Sequence, residues 1–169
     1  MERNNGMRPQ DIALLLKLLL WEGKKWMKKD LASELFISPA EVGHSLKRSS
    51  MAGLVTPDER KIMKKAFRDF LIYGFSFVFP VKPGSITKGM PTAHSAPVLN
   101  KLIVSGEVVV WPYPEGKMKG QAIIPLYQGA IKASIHDEKF YELLCLCDTL
   151  RIGKLREKEI AKEILMKRI

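Results

Sequence analysis

The sequence contains little of what several protein classes require. Its 169 residues hold only two cysteines, too few for a disulfide-stapled secreted scaffold, and its 12 glycines and 10 prolines are too few for a fibrous or low-complexity chain. The longest apolar run, from Ile12 to Trp21, is interrupted by Lys17 and is half of the ~20 residues that a membrane-spanning helix needs. It also lacks the cleavage site of a secretory signal. We therefore expect a soluble, cytoplasmic protein with no membrane association.

Signatures of catalysis are also missing. The sequence has three histidines and no HExxH, GxSxG or P-loop pattern, and neither Gly84 nor Gly89 is followed by the Lys-Ser/Thr of a nucleotide cradle. Cys145 and Cys147 lie two residues apart on a predicted helix, roughly 200° apart around its axis. That geometry excludes both a shared metal and a disulfide between them. We expect no enzymatic activity, no metal and no cofactor.

Positive charge is what the sequence has in excess. It carries 28 Lys and Arg against 18 Asp and Glu, a net charge of +10, and this balance indicates a polyanionic partner. Residues 1–74 carry 14 basic and 9 acidic residues and residues 75–136 carry 6 and 2, whereas residues 137–169 are nearly balanced with 8 and 7. The excess therefore lies in the first two thirds of the chain.

The N-terminal part reads as a series of short helices. Apolar residues at helical spacing predict one helix over Pro9–Glu22 and a second over Met27–Phe36. Ser38, Pro39 and Glu41 form a start signal for a third helix over about 39–52, whose inner face would hold Val42, Leu46 and Ser49. The same signal at Thr56 and Pro57 predicts a fourth helix, which Gly74 would end near Tyr73.

The character of the chain changes after residue 74. Alternating apolar residues predict a strand over 75–79, and further strands are expected at 108–111 and 121–124. Residues 83–97, rich in Gly, Pro, Ser and Thr, are interpreted as an ordered loop. Two helices are predicted over about 137–150 and 154–167, and their apolar faces would pack on the sheet or form a dimer. The predicted fold is α+β: an N-terminal three-helix unit, then a small β element and C-terminal helices.

One segment carries a resemblance to a known family. Two short helices joined by a turn at residues 36–39 have the arrangement of a helix-turn-helix. The phrase DLASELFISPAEVGHSLKRSSMAGLV, residues 30–55, resembles the bacterial winged helix-turn-helix regulators of the MarR and GntR type. Leu31-Ala32, Leu35, Ile37-Ser38, Val42, Leu46 and Gly53-Leu54-Val55 match those families in order and spacing.

The resemblance implies that the third helix lies in a DNA major groove. Its outward face would hold Ala40, Gly43, His44 and Lys47, of which His44 and Lys47 reach furthest toward base edges. Ser38 could donate to a phosphate, and Lys28, Lys29 and Arg48 would contact the DNA backbone. The alternative is that these lysines only form a solvated face.

The sequence departs from that family in the place of the wing and at Ser49, a core position that is normally larger and apolar. A wing is usually a β-hairpin directly after the third helix, but here the predicted fourth helix occupies that place. The wing is thus expected to be missing, or displaced to residues 75–81 with Lys82 and Lys88 beyond. In the loop 83–97, Thr92, His94 and Ser95 could line a ligand or partner site, or the loop could simply be held against the strands by its prolines.

These observations favour a winged-helix-like DNA-binding domain over residues 1–74 and an α+β part over 75–169 that dimerises or senses a ligand. The expected function is a sequence-specific transcription regulator of double-stranded DNA, acting as a homodimer; the sequence identifies no small-molecule effector. The alternative is a protein-interaction module, antitoxin-like or an adaptor, since helix-turn-helix folds also serve that role.

Overall fold

The structure is a computed structural model that describes residues 6–169. It confirms the α+β class: about 52% of the chain is helical, and a small three-stranded sheet lies between helices at both ends. In chain order the elements are α1 (Pro9–Leu20), α2 (Lys28–Leu35), α3 (Pro39–Met51), α4 (Lys64–Tyr73), α5 (Phe75–Val78), β1 (Ile86–Pro91), a 3-10 turn (Ala93–Ser95), β2 (Val109–Pro112), β3 (Met118–Ala122), α6 (Ala130–His136), α7 (Glu138–Ile152) and α8 (Leu155–Arg168).

The first three helices begin and end close to the predicted residues. Ser38 caps α3 by accepting a hydrogen bond from the Glu41 backbone N–H at 3.1 Å, and Pro39 occupies the first helical position, as expected. Val42 and Leu46 are fully buried, and Ser49 is buried beside them, so the predicted inner face of α3 is confirmed. The orientation of α3 therefore follows from its apolar spacing.

The prediction for residues 56–63 was wrong. Helix α4 begins only at Lys64, and residues 54–63 form a short β-hairpin, called the hairpin below, in which Val55 bridges Ile62. The Thr56 N–H donates to the Lys61 carbonyl at 2.8 Å. The Thr56 hydroxyl donates to Asp58 inside the turn instead of capping a helix, because Thr-Pro-Asp also suits a tight turn. A β-hairpin thus directly follows α3. The sequence had predicted a helix at this position, with any hairpin either missing or displaced to residues 75–81.

The predicted strand at 75–79 is also wrong, because residues 75–78 form the short helix α5. Phe75 and Phe79 are four residues apart and pack edge to face, with ring centroids at 6.0 Å. Phe70 of α4 contacts both rings in the same geometry. Alternating aromatic residues suggest a strand, but this aromatic cluster uses the i, i+4 spacing of a helix instead.

The three strands close on themselves as a narrow barrel. Strand β1 is antiparallel to both β2 and β3, which run parallel to each other. The barrel is so tight that a Cβ at Gly89 would lie 2.0 Å from the Trp111 carbonyl oxygen, and one at Gly120 would lie 2.5 Å from that of Val108. The predicted loop over residues 83–97 is corrected in part, since residues 86–89 pair with β3 and residues 89–91 pair with β2.

The C-terminal helices complete the core. Helix α6 was not predicted, and α7 and α8 lie within two residues of their predicted bounds. The apolar residues proposed as a dimer face on α7 are buried within the protein's own core: Leu143, Leu144, Leu146 and Leu150. A single hydrophobic core includes residues from both halves of the chain.

Lys17 lies at the centre of this shared core. Its side chain is 1% exposed, and its ammonium group donates to Asp137 at the start of α7 at 2.7 Å and to Glu34 of α2 at 2.9 Å. The rings of Trp21 and Phe140 flank the same ammonium at 5.7 and 5.4 Å. The charge that interrupts the apolar run of α1 therefore joins three helices.

Candidate nucleic-acid interface

The N-terminal half of α3 presents a continuous exposed face. Ala40 and Lys47 are exposed, and the His44 side chain, 69% exposed, lies 3.8 Å from Glu41. Ser38 is exposed at the N-terminus of the helix; its oxygen accepts from Glu41, which leaves its own proton available for a phosphate oxygen. These residues project from one side of the helix because Val42 and Leu46 anchor the opposite side in the core.

Helix α2 and the hairpin extend this face. A Cβ at Gly43 would lie 3.5 Å from the Lys28 Nζ, so the α2 lysine reaches across α3 where that helix has no side chain. Lys28 also lies 3.5 Å from Glu59 at the tip of the hairpin. Lys29 is exposed beside it. Lys28 thus connects the outward side of α3 at Gly43 to the tip of the hairpin.

Arg48 does not belong to this surface. The structure buries it, and its guanidinium donates twice to Asp11 of α1, at 2.7 and 2.9 Å, and once to Glu41 at 2.8 Å. These carboxylates raise the pKa of Arg48, and the hydrogen bond from Arg48 is the main reason that the pKa of Glu41 lies below its ordinary value. The predicted phosphate contact is therefore corrected to an internal ion pair that joins α1 to α3.

The acidic residues near the interface are mostly engaged within the protein. Residues 24–65 contain ten Lys and Arg and five Asp and Glu. Asp30 accepts from the Met27 N–H at the start of α2, Glu34 pairs with Lys17, and Glu41 pairs with Arg48. The exposed lysines consequently dominate the field on this side of the molecule.

The hairpin tip is the exception to that pattern. Asp58 and Glu59 lie in its turn, with Glu59 at a positive φ of 60°, so the tip of the hairpin is acidic. Arg60, the next residue, stacks on the Trp26 ring at 5.0 Å and donates to the Trp26 carbonyl at 3.3 Å. The hairpin is thereby fixed against the segment that leads into α2.

Sequence reasoning missed the basic residues that flank this interface. Lys24 and Lys25 precede α2, Arg60 and Lys61 lie on the hairpin, and Lys64 and Lys65 begin α4. The signal was present as closely spaced basic pairs in both segments. These pairs could not be recognised as one surface from the sequence, because the two segments are about 35 residues apart and come together only through the hairpin.

The three residues predicted for a ligand or partner loop all have structural partners. Thr92 donates to Asp148 at 2.7 Å, the His94 Nε2 lies 2.7 Å from the Glu107 carbonyl oxygen, and Ser95 accepts from the Val109 N–H at 3.0 Å. These contacts join the 3-10 turn and the residue before it to α7, to the segment that precedes β2, and to β2 itself. We therefore interpret this segment as part of the scaffold.

Asp148 is the centre of the buried polar cluster behind the barrel. It accepts from the Trp111 indole at 2.6 Å and pairs with Arg151 at 3.0 Å. Burial raises its pKa, and burial likewise raises the pKa of the Cys145 and Cys147 thiols, both of which are free and buried. Within residues 6–169 there is no group of three or more His, Cys, Asp or Glu side chains placed to hold a metal.

No family model, curated protein or solved structure matches this chain. Over the part of the chain that the structure describes, none of the helices is both long enough and apolar enough to cross a bilayer.

Proposed function

We propose that this protein is a sequence-specific regulator that binds double-stranded DNA with α3 in the major groove. The observation that carries the proposal is the exposed face of α3, where Ala40, Gly43, His44 and Lys47 lie opposite the buried apolar side. An α-helix of this width fits the major groove, and His44 and Lys47 have hydrogen-bonding groups for base edges. The proposal assigns no catalytic step to the chain.

The surroundings of α3 support the same proposal. Lys28, Lys29 and the Ser38 hydroxyl lie where they could contact phosphates on either side of a groove. The hairpin directly after α3 occupies the position of a wing, which supports a winged-helix identity for this part of the chain. Arg48 is omitted from the proposed contacts because its charge is used internally.

The test is selection of bound sequences from a pool of random duplex DNA at two salt concentrations. We expect a recovered motif and an affinity that falls with salt, because phosphate contacts release counterions. A palindromic motif would also give the spacing of two half-sites and hence the dimer. Binding that selects no motif would contradict the proposal.

The acidic hairpin tip favours a second candidate, a protein-interaction module. Asp58 and Glu59 would repel phosphates but could pair with a basic surface on a protein partner. A co-purifying protein that binds more tightly than DNA, and whose binding is unaffected by Lys47→Ala, would favour this candidate over the first.

A further inference from the structure

A groove of about 870 Å³ opens beside the hairpin, away from the three predicted loop residues. One wall is the end of α1 and the connection to α2, residues 18–26, and the other is the second strand of the hairpin with the first turn of α4, residues 60–66. Leu18, Trp21, Trp26 and Ile62 give it an apolar lining, with both indole rings half-buried. A cavity of this size is typical of sites for small organic ligands.

The rim of the groove is strongly positive. Six of its lining residues are basic and one, Glu22, is acidic; the basic ones are Lys24, Lys25, Arg60, Lys61, Lys64 and Lys65. Glu22 is already paired with Lys64, and Lys65 pairs with Asp69. Among the ion pairs within residues 6–169, none involves Lys24, Lys25 or Lys61. Over that range the three lysines thus form no ion pair, and Lys61 acts on a carboxylate only at longer range, where it adds to the Thr56 hydrogen bond that lowers the pKa of Asp58.

The first turn of α4 adds to this positive field. It has no acidic residue and no side-chain cap, and Lys64 and Lys65 lie at the end of the helix where its dipole is already positive. Cations at a helix N-terminus are unfavourable unless an anion lies nearby. Glu22 and Asp69 already provide an anion for each of these two lysines, so what remains for a bound negative group to complement is the positive N-terminus of α4 itself.

We propose that the groove binds an amphipathic carboxylate, a small molecule with an alkyl or aromatic body and one anionic end. The body would pack on Trp21, Trp26 and Ile62, and the carboxylate would lie among Lys24, Lys61 and the start of α4. The apolar lining is the reason to expect an apolar body in the ligand. The lysines that form no ion pair are the reason to expect a negative charge at its end. This site stands whether or not the protein binds DNA, because no residue of the outward face of α3 lines it.

The test is calorimetric titration with decanoate, below its micelle concentration, and with decanol as the uncharged control. We expect decanoate to bind at one site, at least tenfold more tightly than decanol. The triple variant Lys24→Gln, Lys25→Gln and Lys61→Gln should weaken decanoate more than tenfold. A matched triple at exposed lysines elsewhere, Lys82→Gln, Lys101→Gln and Lys132→Gln, should leave the affinity within twofold.

A second variant tests the location. Ala66 is exposed and lines the groove, so Ala66→Trp should fill it and abolish decanoate binding while the circular dichroism spectrum is retained. Equal affinity for decanol and decanoate, or no binding of decanoate by the unmodified protein, would overturn the proposal. The proposal would also be overturned, in favour of nucleic acid, if the protein bound a single-stranded 12-mer oligonucleotide but not decanoate, and if the first triple variant no longer bound that oligonucleotide.

Discussion

Lys28 and Lys29 are neighbours, but the fold holds them differently. Both are exposed, and over residues 6–169 Lys28 forms an ion pair with Glu59 whereas Lys29 forms none. If both contact phosphates, Lys28→Ala and Lys29→Ala should each weaken binding about equally on all duplexes and reduce the slope of log affinity against log salt by about one. Filter binding over a salt series measures both effects. Lys132→Ala, on α6, is the control; a loss confined to one sequence would contradict the assignment.

His44 and Lys47 should behave in the opposite way. Because they lie on the exposed face of α3, His44→Ala or Lys47→Ala should cost about 1–3 kcal/mol on the selected motif and much less on random duplex DNA. Competition between the two DNAs gives the difference directly. Equal losses on both would mean that α3 is not the element that reads bases.

The Asp11–Arg48 pair should contribute to stability rather than to binding. Asp11→Asn leaves the buried guanidinium without its main carboxylate, so the free energy of unfolding in urea should fall by about 3–5 kcal/mol. Asp58→Asn, at the exposed tip of the hairpin, is the matched control and should change it by less than ~0.5 kcal/mol. A small loss for Asp11→Asn would mean that the pair is not maintained in solution.

Glu41 should make the free energy of unfolding depend on pH in the acid range. Its pKa is lowered in the folded protein, mainly by the hydrogen bond from Arg48, so the folded state binds its proton less readily than the unfolded chain does. Its contribution to stability is therefore fully present above its ordinary pKa and is lost as the pH falls through the lowered value. Glu41→Gln should flatten the acid limb of unfolding free energy against pH, and an unchanged limb would contradict this.

At the scale of the elements, the barrel depends on glycine at its closest approaches. Gly89→Ala would place a methyl group against the Trp111 carbonyl and should reduce the free energy of unfolding by more than ~2 kcal/mol. Gly106→Ala, in open space before β2, should change it by less than ~0.5 kcal/mol. Urea titration of both variants tests this, and equal effects would mean that the strands separate to accommodate a side chain.

The elements also show what the sequence could predict. Helix α3 was located correctly because Ser38, Pro39 and the buried Val42 and Leu46 all act within a few residues of one another. The hairpin was missed because its turn begins with Thr-Pro-Asp, a local pattern shared with a helix start, and only the pairing of Val55 with Ile62 distinguishes the two. Local signals predict caps and faces, but not the pairing that chooses between two compatible structures.

The candidate site could likewise be predicted only where local spacing determines it. The outward residues of α3 followed from its inner face, whereas the partner of Arg48 lies 37 residues away on α1 and could not be read from spacing. Lys47 and Arg48 are adjacent basic residues that the sequence alone does not distinguish. Their roles differ because Lys47 is exposed to solvent, whereas Arg48 is buried and pairs with Asp11.

At the scale of the whole molecule, the proposed homodimer would need a contact surface other than the buried apolar face of α7. Tyr73 and Phe77, at the junction of α4 and α5, are 74% and 83% exposed, and we propose this patch as the contact between two copies. Phe77→Ser should convert a dimer to a monomer in light scattering after size-exclusion chromatography, and should weaken binding to paired half-sites by more than tenfold. Ile135→Ser, exposed on α6, is the control, and a protein that is monomeric without any substitution would contradict the proposal.

Because Lys17 pairs with Asp137 of the C-terminal half, we expect that the N-terminal helices do not fold as an independent, transferable domain. Cutting the chain after residue 74 would remove Asp137 and the α7 surface, leaving Lys17 with Glu34 as its one carboxylate among the described residues, and an apolar side of α1 in water. In evolutionary terms, an exchange of α1–α3 between proteins would require a matching α7. Natural recombination should therefore have passed these helices on together with the C-terminal half, and a fusion protein that borrows only residues 1–74 should aggregate.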